Sequence, residues 1–292
     1  MVEEETEAAR YWKKCGDEAL ANGVKGIVIM VCLQTSNSTL YGLETDDEAQ
    51  GAHWDCLGDK IEVATNPNPG KSPCPYVTQS TYLDWKANPD LTTAERVISM
   101  LKAEGFKASG NSDFTWIQDC YMVLIRMFPD ANKCPPTTII SMNARYDPHY
   151  HIKVGATLRP LRKEGYLLIG SGGAVHNLYR NRWGPMLLYR DSLGQETPPD
   201  TCMLDFRQAV EDAIIHNSGP RLRRAIARLM THPLYRDAQA TDDHWMPICF
   251  CAGAAGEWED EGSVNVLAAE TWELTNMCNS QYTMGSYVGM AT

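Results

Sequence analysis

Apolar and polar positions along this chain follow two rhythms, and each switch between them marks an element. Glu4 to Asn22 mixes charged and apolar residues at helical spacing and meets Gly23, which predicts a first helix with a glycine stop. Lys25 to Met30, KGIVIM, is apolar on both faces, as expected of a strand inside a sheet covered by helices. Lys60 to Thr65 predicts a second strand, and the Pro/Gly-rich NPNPGKSPCP after it a loop. A helix capped by Thr92 or Thr93 is expected to run to Glu104, and another from Trp116 to Phe128, before Pro129. Thr137 to Met142 and Tyr166 to Gly170 follow as core strands, separated by a helix through Val154 to Lys163. Beyond Pro198 the spacing is helical over Met203 to Asn217, Arg221 to Met230 and His244 to Gly256. Ser263 to Thr292 is expected to be a polar, aromatic tail ending in a strand and a loosely held terminus.

Strands alternating with helices of ten or more residues predict an α/β fold. The expected architecture is a three-layer sandwich, a mainly parallel or mixed central sheet with helices on both faces, as a single domain over residues 1–292. The 26 basic and 37 acidic side chains leave a charge of −11, which disfavours nucleic acid and anionic membranes as partners. No stretch resembles a signal peptide or membrane helix, so the expected compartment is the cytoplasm, with the ten cysteines as thiols. No CxxC pair at zinc-finger spacing occurs.

Three histidines stand in settings that suit chemistry. Gly170-Ser-Gly-Gly-Ala-Val-His176 follows the apolar strand YLLI, which places His176 beyond the carboxyl end of a strand, where α/β sheets bind ligands. The segment lacks the GxGxxG spacing and the lysine of a phosphate loop, and Ile169 spoils a GxSxG nucleophile pattern around Ser171. His244 follows Asp242 and Asp243, which can hold its second ring nitrogen for metal ligation or simply cap the next helix. His53 stands in Gly51-Ala-His53-Trp54. Three imidazoles from separate segments could meet at one sheet edge and hold a single metal ion. Elsewhere, His216 lies near a helix end and His232-Pro233 ends one, while Arg221, Arg223, Arg224 and Arg228 form a basic stripe expected to be a solvated, ion-paired face.

The segments AHW (52–54), HYHIKVGATLRPLRKEGYLLIGSGGAVHNL (149–178) and DDHWMP (242–247), with MFP (127–129) as a weaker marker, resemble the class III extradiol ring-cleaving dioxygenases of the DOPA 4,5-dioxygenase-like branch. The resemblance covers roughly residues 5 to 256, and its most specific part is GSGGAVHN with the LRPLRKEG before it. It implies that His53 and His244 are metal ligands, that His176 is the acid/base group or a further ligand, and that His151 binds substrate. The implied reaction inserts O2 into a catecholic or phenolic small molecule at one Fe(II) or Zn(II) per chain. The oligomeric state is not legible.

Three departures qualify the resemblance. The family's first ligand precedes the first helix, and no histidine stands before His53, so the metal would be weakly held or absent. Gln118 occupies the position of a second active-site histidine, where it can orient a substrate but not shuttle a proton. Residues 31–50 separate KGIVIM from GAHW, and their removal would restore a continuous KGIVIMGAHW. They are expected to be an insertion or retained intron, the former able to loop out at little entropic cost. The rival readings are a metal-independent isomerase or cyclase using His176 as base, and a binding protein without catalysis. Sequencing of the transcript decides between them: a message without these twenty codons shows a retained intron, and a message that keeps them and offers no upstream start excludes it.

Overall fold

The computed structural model describes residues 5–31, 60–74 and 77–285. Its amino-terminal half runs α1 (Glu7–Ala21), β1 (Gly26–Val31), β2 (Lys60–Ala64), α2 (Ser80–Leu83), α3 (Leu91–Ala103), β3 (Lys107–Asn111), α4 (Gln118–Met127) and β4 (Thr137–Ile140). It continues through α5 (Pro148–Leu158), α6 (Pro160–Lys163), β5 (Tyr166–Ser171), α7 (Gly184–Tyr189), α8 (Thr201–Ile215), α9 (Gly219–Leu229), α10 (Tyr235–Ala238), α11 (Met246–Ala254), β6 (Asn265–Glu273) and β7 (Met277–Met284). The central sheet has the order β3-β2-β4-β1-β5 and is mixed. β1 is parallel to both neighbours, with Ile29 opposite Ile139 and Ile169, while β2 meets β4 antiparallel at Val63 and Ile140.

The three-layer sandwich follows from which face each strand residue serves. Ile27, Ile29 and Val31 of β1 point into a cluster with Tyr121, Leu124 and Phe128 from α4 and its end, and Ala19 of α1. Val28 and Met30 point the other way, against Val97 and Leu101 of α3, Val154 of α5 and Phe250 of α11. Every residue of β1 is buried, which explains its unbroken apolar run. A third cluster joins α8, α9, α10 and α11 beside the β6-β7 hairpin.

α5 and α11 cross at close range, and one glycine on each helix permits it. A methyl carbon added to Gly155 would lie 1.9 Å from the Phe250 carbonyl oxygen, and one added to Gly253 would lie 1.9 Å from that of Ile152. Side chains at either place would drive the helices apart.

Several boundaries differ from those read off the chain. The expected helix over Val154 to Lys163 is two helices: α5 begins earlier, with Asp147 as cap and Pro148 in its first turn, and Pro160 separates α6 from it. β3 was not foreseen, because KASGN lacks an apolar alternation. The stretch from residue 263 is mostly the β6-β7 hairpin, held to α1 by the Tyr11–Thr283 and Trp12–Gln281 hydrogen bonds. Val31 belongs to β1, while residues 32–50 and His53 lie outside the described residues. Every described cysteine is a free thiol, and no described helix is long and apolar enough to cross a membrane. Gly155→Val and Gly253→Val are each expected to destabilise the protein by about 3 kcal/mol or more, measured by urea unfolding, whereas Gly184→Ala, at an open position, should change little.

Candidate functional site

The parallel strands β1, β4 and β5 end on the same edge of the sheet, and the chain leaving β5 turns there through Gly172 and Gly173. The glycines are required by another segment of the chain. A methyl carbon on Gly172 would come within 2.4 Å of the His244 carbonyl oxygen, and one on Gly170 within 2.3 Å of that of Pro247. The turn therefore lets the entry to α11 lie directly on it.

His176 and His244 meet there face to face, with ring centroids 3.4 Å apart and planes 11° from parallel. His176 is set from behind: its N–H donates to the Ala238 carbonyl at 2.8 Å, and the Asn177 amide donates to the Asp237 carbonyl at 2.7 Å. The fully buried Gln239 donates to the carbonyls of Gly173 and Ala174 at 2.7 and 2.8 Å, fixing the turn itself. His244 is set by its neighbours in sequence. Asp242 accepts from Tyr235 at 2.9 Å and from Arg236 at 2.6 Å, and the buried Trp245 stands edge-on to Tyr235 at 5.7 Å. Gln239 and Tyr235 were not picked out from the sequence. Gln239 acts by holding backbone and Tyr235 by holding the Asp242 carboxylate, and neither contact leaves a short motif to read.

Burial keeps these rings uncharged. It lowers His244 from its ordinary 6.5 to about 4. His176 is driven well below the usual histidine range by burial first and by the charge of His244 second, with Asp243 acting in opposition. Neutral imidazoles keep a lone pair available for a proton or a metal ion.

A cavity of about 310 Å³ begins at His244 and runs along the outer side of β5. Tyr11, Trp12 and Cys15 of α1, Ile248 and Cys251 of α11, and Gln281 to Gly285 enclose it. β5 is the edge strand and pairs on that side with no further strand among the described residues.

The other residues singled out from the sequence have partners of their own. His151 is buried on α5, where its Nδ1 bonds the Asp147 carbonyl at 2.7 Å and its Nε2 accepts from the Asn143 N–H at 2.9 Å. Both nitrogens thus hold the loop after β4. Gln118 opens α4 and is not among the residues that line the cavity. LRPLRKEG is structural: Arg159 and Arg162 each bond Asp260 at 3.1 Å, and Arg162 also donates to the Ala254 carbonyl at the end of α11. Among the described residues no group of three histidine, cysteine or carboxylate side chains could hold a metal ion. The two stacked imidazoles are neutral donors of the right kind, but parallel rings do not aim their lone pairs at one point.

No family model matches the chain. Among curated proteins it is 27% identical over 217 residues to the dioxygenase tasH of Hapsidospora irregularis, covering 71% of this chain and 63% of that protein. It is 27% identical over 144 residues to the 4,5-DOPA dioxygenase extradiol of Escherichia coli K12, covering 49% and 47%. Its identity to the protein of that name in Beta vulgaris is 28% over 171 residues, covering 56% of each. The chain thus spans about half to nearly two thirds of the length of these relatives. A crystal structure of an uncharacterized Escherichia coli K12 protein superposes with a TM-score of 0.67 at 19% identity, over 95% of this chain and 92% of that one, and so shares its fold. The chain is a divergent relative of the extradiol ring-opening dioxygenases. The relatives it matches include proteins named 4,5-DOPA dioxygenase extradiol from Escherichia coli and from plants.

His151 and His244 both fall from 6.5 to about 4 on folding, so between these values the unfolded chain binds more protons than the folded one. Stability is therefore expected to be full above about pH 6.5 and to fall as pH drops toward 4, by up to about 3 kcal/mol per ring. Urea midpoints measured across this range test it, and a flat profile refutes it.

Proposed function

We propose that this protein is an extradiol-type dioxygenase that opens the ring of a catecholic or phenolic small molecule with O2. The observation that carries the proposal is the stacked, uncharged His176–His244 pair at the carboxyl edge of the sheet, in a chain related to proteins named for that reaction. His244 and His53 would hold one Fe(II) or Zn(II), with His176 as the proton-transfer group or the third ligand. When bound, such a metal supplies a centre at which a catechol and O2 can be brought together.

The work of the protein's own residues follows from their setting. His176, neutral at pH 7, can take a proton from a phenolic hydroxyl and return it to the opened product. Asp242, held by Tyr235 and Arg236, keeps the chain before His244 in place. Gln118 and His151 would act on substrate by orientation, His151 through the loop it braces. The cavity beside His244 offers apolar and aromatic walls for a small aromatic molecule.

The parallel stack favours one second reading. Two rings that do not converge on a point suit metal-free chemistry, with His176 as the base of an isomerase or cyclase. Elemental analysis of the purified protein beside His244→Ala, with oxygen uptake over a catechol panel, separates the two. The dioxygenase predicts about one metal per chain, lost in the variant, and a coloured semialdehyde formed with oxygen consumption. Metal-loaded protein that stays silent across the panel overturns it, and turnover indifferent to chelator and to anaerobic conditions establishes the second reading.

A further inference from the structure

Three arginines on α9 stand outside everything described so far. Arg221, Arg224 and Arg228 follow one another at spacings of three and four residues, so they share one face of the helix. They line a wide-mouthed groove of about 520 Å³ together with His149 at the start of α5, Asn217 and Thr231. Among the described residues none of the three guanidinium groups meets a carboxylate, and no carboxylate lines the groove. Several other arginines are paired: Arg96 with Glu164, Arg207 with Glu211 and Glu270, Arg236 with Asp242. Arg223, on the same helix but turned away, binds Glu257.

Like charges three and four residues apart on one helix face repel one another, a cost that a bound anion would offset. The helix dipole accounts for Arg228, which lies in the last turn where a cation is favoured. It works against Arg221, which lies in the first turn, and leaves Arg224 unexplained. With a rise of about 1.5 Å per residue, the row extends about 10 Å, too long for one phosphate or carboxylate group. Guanidinium groups present paired N–H donors that match phosphate oxygens two at a time, and the His149 ring adds a further donor across the groove.

We infer that this groove is a binding site for a small molecule bearing a chain of two or three phosphates. The site is separate from the histidine pair and does not depend on the reaction assigned to it.

The probe is sodium tripolyphosphate, titrated into the purified full chain by calorimetry at about 150 mM salt. The expected result is saturable binding with one site per chain, at least about tenfold tighter than inorganic phosphate. Arg221→Gln with Arg224→Gln should weaken it by about tenfold or more, and Arg190→Gln, on an exposed residue elsewhere, should leave it unchanged. The charge-preserving pair Arg221→Lys with Arg224→Lys should bind with intermediate affinity, its circular dichroism serving to confirm folding. The assignment is overturned by absence of saturable binding, by equal affinity in the glutamine variant, or by a hexaglutamate peptide binding as tightly as tripolyphosphate.

Discussion

The site depends on one close approach of backbone to backbone. The residues entering α11 lie on the turn that leaves β5, nearer than any side chain on Gly170 or Gly172 would allow. From that contact follow the height of His244 above the sheet edge, the stacking of its ring on His176, and the burial that removes charge from both. The α5–α11 crossing, with its own two glycines, holds α11 on the sheet from its far side. Four glycines in three segments therefore serve one purpose, to bring α11 against β5 and α5 with nothing between.

The sequence was most legible where burial dictates composition. β1 and β5 were readable because a parallel strand with neighbours on both sides, or a covered face, must be apolar at nearly every position. β3, with Ser109, Gly110 and Asn111 at the polar end of the sheet, carries no such mark, and the hairpin from Asn265 to Met284 mixes polar and apolar residues because both of its faces are half-buried. The helix boundary at Pro160 could have been read from the proline alone, had the apolar spacing not run across it.

The histidine pair was legible as two addresses, one after a glycine turn and one at a helix entry, but not as a stack. Contact between residues 176 and 244 is a property of the topology. Gly170 and Gly172 of GSGG make room for the chain itself, a close approach that no spacing in the sequence announces. Gln239, which fixes the turn, stands in a polar loop and looks like any surface amide until its burial is known. The basic stripe on α9 was read as a solvated, ion-paired face; Arg221, Arg224 and Arg228 are exposed, and of the four Arg223 has an ion pair among the described residues. His53 and residues 32–50 before it lie outside the described residues, so their part in the site stays an expectation drawn from the sequence.

The open side of β5 has a consequence for the behaviour of the protein in solution. A sheet edge that faces a cavity offers a template to any extended segment able to enter it. α1, α11 and β7 wall the cavity, which guards the edge from flat, edge-to-edge stacking. The guard is only as good as the hydrogen bonds that tie β7 to Tyr11 and Trp12. Conditions that loosen the hairpin therefore expose a parallel sheet edge, and self-association under mild heating would begin there before the core has opened.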